Sequence, residues 1–394
     1  MKKGSKKSLG SLELFTGAGG LALGLHEAGF HHRALVEVND DACGTLLENI
    51  SKRSIRGISN WKVIGRDIRE TNLQDYNGVD IVAGGPPCQP FSIGGKHQGM
   101  SDDRNMIPQF IRAVRELQPR AFILENVKGL TRQSFRNYFS YIQLQLTYPS
   151  FSQEQSEDWT SHLSRLERVR TGRRSRGLNY NVVSRVLNAA DYGVPQTRQR
   201  VFIVGFRSDV PAKWSFPSAT HSQDALIYDQ WVSRAYWDRH EIQAPSVIPP
   251  RLLSRIDRVS SQSSSLLKPW RTIRDATSDL PAPTHNRSED PLGHHFQPGA
   301  KVYVGHTGSP IDGPSKTLKA GDHGVPGGEN MIAFSDGKVR YLTIREAARV
   351  QTFPDSWRFL GAWTEVMRQL GNAVPAKLAS VVAKSVAKTL RDHG

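Results

Sequence analysis

Short apolar runs recur through the first half of the chain: SLELF (11–15), ALVEV (34–38), VDIVAG (79–84), AFILEN (121–126) and RVFIVGF (200–206). Such runs, bounded by turn residues, read as strands. Between them LALGLHEAGF (21–30) and NMIPQFIRAVREL (105–117) return apolar residues at helical spacing, as crossover helices packed on a sheet do. The alternation predicts an α/β fold, a doubly wound and mostly parallel sheet with helices on both faces. In such sheets ligands sit beyond the carboxyl ends of the strands, so chemistry is to be sought just after each strand.

Beyond about residue 206 the alternation fades and Pro, Ser, Trp and His become frequent up to about residue 335. Four of the eight tryptophans, Trp214, Trp231, Trp237 and Trp270, fall there among arginines and histidines. This second region is expected to be loop-rich and adapted to a surface. Helical spacing returns in LTIREAARVQTF (342–353) and AKLASVVAKSVAKTL (376–390), which are expected to pack back on the first domain. The predicted organisation is one domain from 1–206 plus 356–394 and a smaller one from 207–355. No internal repeat is visible.

Composition narrows the partners. At 38% hydrophobic and 23% charged residues the chain has ordinary globular usage. It holds no uninterrupted apolar run of bilayer length, and the start MKKGSKKSLG lacks the apolar segment of a signal peptide, which predicts a cytosolic protein with no membrane partner. The formal net charge of +15 favours a polyanion, because lysines and arginines that neutralise phosphates release condensed counterions. Six arginines between Arg165 and Arg176 close a polar insertion and fit either a solvated helix face or a phosphate contact. The lysines at 2, 3, 6 and 7 read as a tail. Two cysteines, Cys43 and Cys88, are too few for a disulfide framework or a four-cysteine zinc site, so any thiol chemistry belongs to one of them.

Four segments carry candidate chemistry. LELFTGAGGLALGL (12–25) runs from a strand through a glycine turn into a helix, and Gly17, Gly19 and Gly20 allow a ligand to approach the backbone. With Glu37 after the second strand, this fits a loose dinucleotide fingerprint. It equally fits an adenosyl cofactor, with Glu37 on the ribose hydroxyls and Asp67 on the adenine amine. GGPPCQPFS (84–92) follows the strand VDIVAG directly and places Cys88 at a strand end, after two prolines that fix the backbone. Elsewhere an isolated cysteine is usually a small buried hydrophobe; this position makes it a candidate nucleophile. AFILENV (121–127) sets Glu125 at the end of another strand. In GVPQTRQRVFIVG, Arg198 and Arg200 are two apart on an extended segment, and the alternation of strand side chains turns both to one pocket.

Taken together, these segments resemble the blocks of the DNA cytosine-5 methyltransferase family. FTGAGG is similar to its cofactor loop, GGPPCQPFS to its nucleophile block, ENV to its glutamate block and QTRQR to its arginine block. LTIREAARVQTFP and QLGNAVPAKLAS resemble its two C-terminal blocks. The resemblance covers residues 11–206 and 314–385. It implies that Phe15, Gly17, Gly19, Gly20, Glu37, Asp67 and Pro86 hold S-adenosylmethionine, without a metal, and that Asn372 closes over the methionine part. It implies Cys88, Glu125, Arg198 and Arg200 as the catalytic set and Gln89 and Ser92 as substrate contacts.

The implied partner is double-stranded DNA, with a recognition domain whose variable part is 207–300. A separately acting restriction endonuclease would be a cognate partner, and the enzyme would be a monomer, cytoplasmic and nucleoid-associated. An insertion at 131–176 is longer than a minimal member requires. The implied reaction adds the Cys88 thiolate to carbon 6 of a flipped-out cytosine, so that carbon 5 can take a methyl group. Glu125 hydrogen-bonds the ring near nitrogen 3, Arg198 contacts the base carbonyl, Arg200 supports the site, and Gly94, Gly95 and Gly99 give the following segment the freedom of a lid. Three alternatives stand beside this: an RNA cytosine-5 methyltransferase, which would require a second catalytic cysteine; a catalytically silent DNA-binding protein; and a nicotinamide oxidoreductase.

Overall fold

A computed structural model describes residues 8–87, 105–172, 177–261, 267–285, 293–304, 306–320 and 330–393. The chain divides into two compact units. The first comprises Met1–Leu187, Gln199–Pro217 and Ala379–Gly394, and the second Asn188–Arg198 and Ser218–Leu378. Residues 188–198 and 356–378, placed with the first domain in the sequence reading, group with the second unit.

The first unit is built on a seven-stranded sheet. Along the chain come β1 (Leu9–Leu14), α1 (Gly20–Glu27), β2 (Phe30–Glu37), α2 (Asp40–Ser51), β3 (Val63–Gly65), β4 (Ile81–Gly84), α3 (Ile107–Leu117), β5 (Ala121–Val127), α4 (Arg136–Thr147), α5 (Trp159–Thr171) and β6 (Tyr180–Asn188). The two-residue β7 (Gln196–Thr197) belongs to the second unit, and β8 (Gln199–Arg207) returns to the sheet. The strand order is β3-β2-β1-β4-β5-β8-β6. The pairs β2/β3, β1/β2, β1/β4 and β4/β5 are parallel, while β5/β8 is antiparallel. The order reverses between β1 and β4, so the crevice of a doubly wound sheet opens beyond Leu14 and Gly84. The antiparallel return brings the start of β8 to the same edge as the end of β5, with Val127 opposite Arg200.

All five strands read from the sequence are present. β3 and β6 were not anticipated: β3 has three residues, and β6 is an edge strand whose exposed Asn181 and Arg185 alternate with half-buried positions. An apolar core covers one face of the sheet, from Leu12 and Val82 to Phe110, Phe122 and Ile203.

In the second unit lie β9 (His221–Ser222), α6 (Gln223–Ile227), α7 (Ala235–Arg239), α8 (Leu253–Ser260), β10 (Lys268–Pro269), α9 (Ile273–Thr277), β11 (Ser309–Pro310), β12 (Ser315–Lys316), β13 (Met331–Ala333), β14 (Val339–Tyr341), α10 (Ile344–Val350) and α11 (Trp363–Asn372). Its strands are short, as the fading alternation foretold. The tryptophans are not a surface feature, however. Trp231 and Trp270 pack against a cluster of Leu226, Tyr236 and Trp237, and the indole N–H of Trp237 is spent on the Gln230 carbonyl at 2.6 Å. Trp214 belongs to the first unit, against Phe206 and Phe216.

The C-terminal helical patterns also part company. α10 stays in the second unit, whereas α12 (Ala376–Asp392) joins the first from Ala379 onward. There it lies so close to α1 that a Cβ on Gly24 would stand 2.4 Å from the Ala379 methyl. Among the described residues no helix is long and apolar enough to cross a membrane.

Candidate active site

The glycine turn after β1 is built on left-handed backbone. Phe15, Gly17 and Gly19 have φ of 58°, 56° and 94°. For Phe15 this costs about 1–3 kcal/mol, a strain that persists only where the surroundings impose it. The turn is tied to the end of β2 through Glu37. One carboxylate oxygen accepts the Gly17 N–H at 2.7 Å, and the other accepts those of Val38 and Asn39 at 2.9 and 2.8 Å. Gly20 opens α1 and is buried. No atom lies within 4 Å of where a Gly17 Cβ would project, so the turn borders open space. Val38, next to Glu37, leaves 65% of its surface exposed.

Asp67 lies beyond β3, but its carboxylate is engaged by Arg69 in a two-pronged pair with a 2.7 Å contact that lowers its pKa. Asn372 is exposed at the end of α11 in the second unit.

At the edge beyond β4 and β5 the structure brings Glu125, Arg200 and the Gly85–Pro86–Pro87 run together. Arg200 Nε lies 3.0 Å from Glu125 Oε1, with only 13% and 8% of the two side chains exposed. Burial lowers the Arg200 pKa and the Glu125 charge raises it again; the guanidinium, ordinarily above 12, keeps its proton. The other Glu125 oxygen stands over Gly85, 3.1 Å from where a Cβ would be, so this position admits only glycine without displacing the carboxylate. Asn126 donates from Nδ2 to the Pro86 carbonyl at 2.9 Å, and the Met106 N–H donates to that of Pro87 at 3.1 Å. The backbone leading to Cys88 is thus clamped from two sides. Cys88, Gln89, Ser92 and the lid glycines 94, 95 and 99 lie outside the described residues.

Arg198 does not share this pocket in the way the strand alternation implied. It is fully buried in the second unit and donates from Nη1 to the Leu318 carbonyl at 3.1 Å and from Nη2 to that of Gly371 at 2.6 Å. β7 ends at Thr197 and β8 begins at Gln199, so the extended segment breaks at Arg198 and the alternation does not carry across it. The neighbouring Gln196 donates to Gln351 at 3.1 Å and accepts the Leu318 N–H at 3.0 Å. The arginine block and the two C-terminal blocks therefore meet in one buried polar network inside the second unit.

The structure adds one residue the sequence reading passed over. Glu13 in β1 is 1% exposed and neither carboxylate oxygen has a hydrogen-bond partner among the described residues. Burial raises its pKa well above 4.5, against a weaker opposite pull from the Ala22 amide. Its only sequence signal was a charge in an otherwise apolar strand. Cys43, by contrast, is a buried thiol directed at the Glu37 carbonyl at 3.4 Å and held protonated, its pKa raised to about 11 by burial and by Glu37 and Asp40.

Comparison with known proteins decides the family. The model of the C-5 cytosine-specific DNA methylases matches residues 9–151 and 173–388. The chain belongs to that family. The methylase is 32% identical over 386 residues to the type II methyltransferase M.NgoMIV of Neisseria gonorrhoeae, covering 97% of this chain and 98% of that protein. It is 31% identical to M.Eco47II of Escherichia coli, covering 96% and 79%. Among solved structures the fold is similar to Spodoptera frugiperda DNMT2, with a TM-score of 0.54, 17% identity and coverage of 96% and 99%. It is also similar to the Dnmt2 methyltransferase of S. pombe, with a TM-score of 0.53, 16% identity and coverage of 98% and 99%. The nicotinamide alternative falls with this assignment.

Proposed function

We propose that the methylase modifies carbon 5 of a cytosine in a specific double-stranded DNA sequence through a covalent Cys88 adduct, as the modification enzyme of a restriction-modification system. The observation that carries this reading is the buried Glu125–Arg200 pair standing over Gly85, three residues before the thiol.

The residues present fit an adenosyl cofactor. Open space borders Gly17, Glu37 is fixed by three amides with acceptor capacity left for ribose hydroxyls, Val38 offers an apolar face to a purine, and the N-terminus of α1 suits a carboxylate. Phe15, Gly19, Gly20, Asp67 and Pro86 complete the candidate set with Asn372, although Asp67 must share its carboxylate with Arg69. S-adenosylmethionine supplies the methyl group as an electrophile on a sulfonium; no metal is called for.

Cys88 adds as a thiolate to carbon 6, breaking the ring's conjugation and moving an electron pair toward carbon 5 and nitrogen 3. A proton shared between Glu125 and nitrogen 3 stabilises that charge. Arg200, the partner of Glu125, is the better donor to the base carbonyl, and Arg198 takes a scaffold role instead. After carbon 5 has taken the methyl group it loses its proton, and the electron pair left behind expels the Cys88 thiolate. A base within a duplex cannot reach the thiol, so the nucleotide is flipped out. The first unit performs the transfer and the second, which holds 218–300 of the expected variable part 207–300, selects the sequence. The enzyme works as a cytoplasmic, nucleoid-associated monomer, with a separately acting endonuclease as its counterpart.

The test is Cys88→Ala. Labelled methyl transfer to DNA should vanish while DNA and cofactor binding persist. Methylation at the wild-type rate by that variant, with the product mapped at base resolution, would remove the mechanism.

A further inference from the structure

The family model leaves residues 152–172 uncovered, and α5 is that addition. Its inward face carries Trp159, His162 and Leu166 onto the core of the first unit. Trp159 meets the ring of Tyr138 edge-on at 6.3 Å and that of Tyr141 at 5.8 Å. His162 is buried, with Nε2 at 2.8 Å from the Phe151 carbonyl and Nδ1 at 2.8 Å from the Tyr141 hydroxyl. A carbonyl only accepts, so Nε2 carries the proton and Nδ1 receives that of Tyr141. Burial lowers the histidine's pKa, in keeping with a neutral ring. The insertion is thus locked onto α4.

From α4, Tyr138 also reaches beyond the insertion. Its hydroxyl accepts a 2.7 Å hydrogen bond from Asn105 Nδ2, and both residues are buried. Asn105 immediately precedes Met106, whose N–H holds the Pro87 carbonyl. We propose that Tyr138 is a positioning residue: braced by α5, it fixes Asn105 and through the Met106–Pro87 bond the point from which Cys88 is presented to Glu125 and Arg200. This deepens the nucleophile reading and rests on it. One neutral hydrogen bond adds little to global stability. At a single residue's remove from the clasp it controls placement, and a shift of about 1 Å at reacting atoms costs about a hundredfold.

The experiment uses full-length protein, S-adenosylmethionine and duplex DNA in which every cytosine is 5-fluorocytosine, so no recognition sequence need be known. Fluorine cannot leave carbon 5 as a cation, and the sulfur–carbon 6 bond persists and can be counted. Tyr138→Phe keeps the ring packing and removes the hydroxyl that accepts from Asn105. Its adduct should form about 10- to 100-fold more slowly, with DNA affinity as in the wild type and a melting temperature lower by only a few degrees, the cost of stranding the buried Asn105 amide. Adding Asn105→Ala to Tyr138→Phe should slow it by much less than the product of the two single effects, the remainder being the Asn105 contact with the Ile107 N–H. A wild-type adduct rate in Tyr138→Phe, or multiplicative slowing in the double variant, overturns the proposal. Cys88→Ala run in parallel separates the two readings. An adduct from that variant defeats the nucleophile assignment itself, whereas no adduct there with a wild-type rate in Tyr138→Phe defeats only the positioning role.

Discussion

Two arginines two positions apart have opposite fates, and their chemistry can be separated by experiment. Arg198 satisfies two buried carbonyls, and removing it strands both, at about 1–3 kcal/mol each. Arg198→Met should therefore lower the unfolding free energy by several kcal/mol, read by denaturant titration, before any question of rate arises. Arg200→Gln leaves the buried Glu125 carboxylate without its counter-charge and should also cost stability, about 3–5 kcal/mol, but the protein that remains folded should show single-turnover methyl transfer cut about 10²- to 10³-fold, the usual cost of a lost charge-stabilising donor.

Glu13 gives a pH signature. Because burial raises its folded pKa above 4.5, the stability associated with it is fully present below about pH 4.5 and is lost as pH rises toward the folded value. Glu13→Gln removes that penalty. Its melting temperature should match the wild type near pH 4 and exceed it near pH 8, and a lower value at pH 8 would contradict the assignment. The sequence located the edge residues Glu125 and Arg200 because strand ends can be read from apolar runs. It could not distinguish Arg198 from Arg200, since the one-residue break between β7 and β8 leaves no mark on hydropathy.

At the scale of elements, the close approach of α1 and α12 is a packing commitment with no slack. A Cβ on Gly24 would also lie 2.5 Å from the Ser380 nitrogen, which is backbone and cannot swing aside. Gly24→Val should destabilise the first unit by about 1–3 kcal/mol through overpacking, seen as a shift in denaturant midpoint at unchanged slope. The strands of the sheet were legible where both faces are covered, as in β4 and β5. β6 was missed because an edge strand carries polar residues on alternate positions, and β3 because three residues make no pattern. The tryptophans misled for a related reason. Composition marks a residue as large and amphipathic, but whether its indole N–H meets water or a carbonyl such as that of Gln230 depends on contacts far along the chain.

On the scale of the whole molecule, charge is the dominant feature bearing on the substrate. With a formal +15, binding to any duplex should weaken steeply with salt. If six or more phosphates are contacted, log K against log salt should fall with a slope of about −5 or steeper, and the affinity should drop about 10³-fold or more between 50 and 200 mM. A nearly flat dependence would remove the electrostatic argument for DNA. Segment 188–198 groups with the second unit although it lies in sequence between two strands of the first unit's sheet, β6 and β8, and hydropathy carries no sign of that excursion.

The Arg198 network has a consequence in time. Its carbonyl partners are 120 and 173 residues further along the chain. At ribosomal speeds of about 5–20 residues per second, the guanidinium waits about 10–35 s for Gly371 to emerge. Throughout that interval the first unit's central strands can already pair, while the second unit lacks its keystone. A nascent methylase would then hold a nearly finished sheet long before it could hold a finished enzyme.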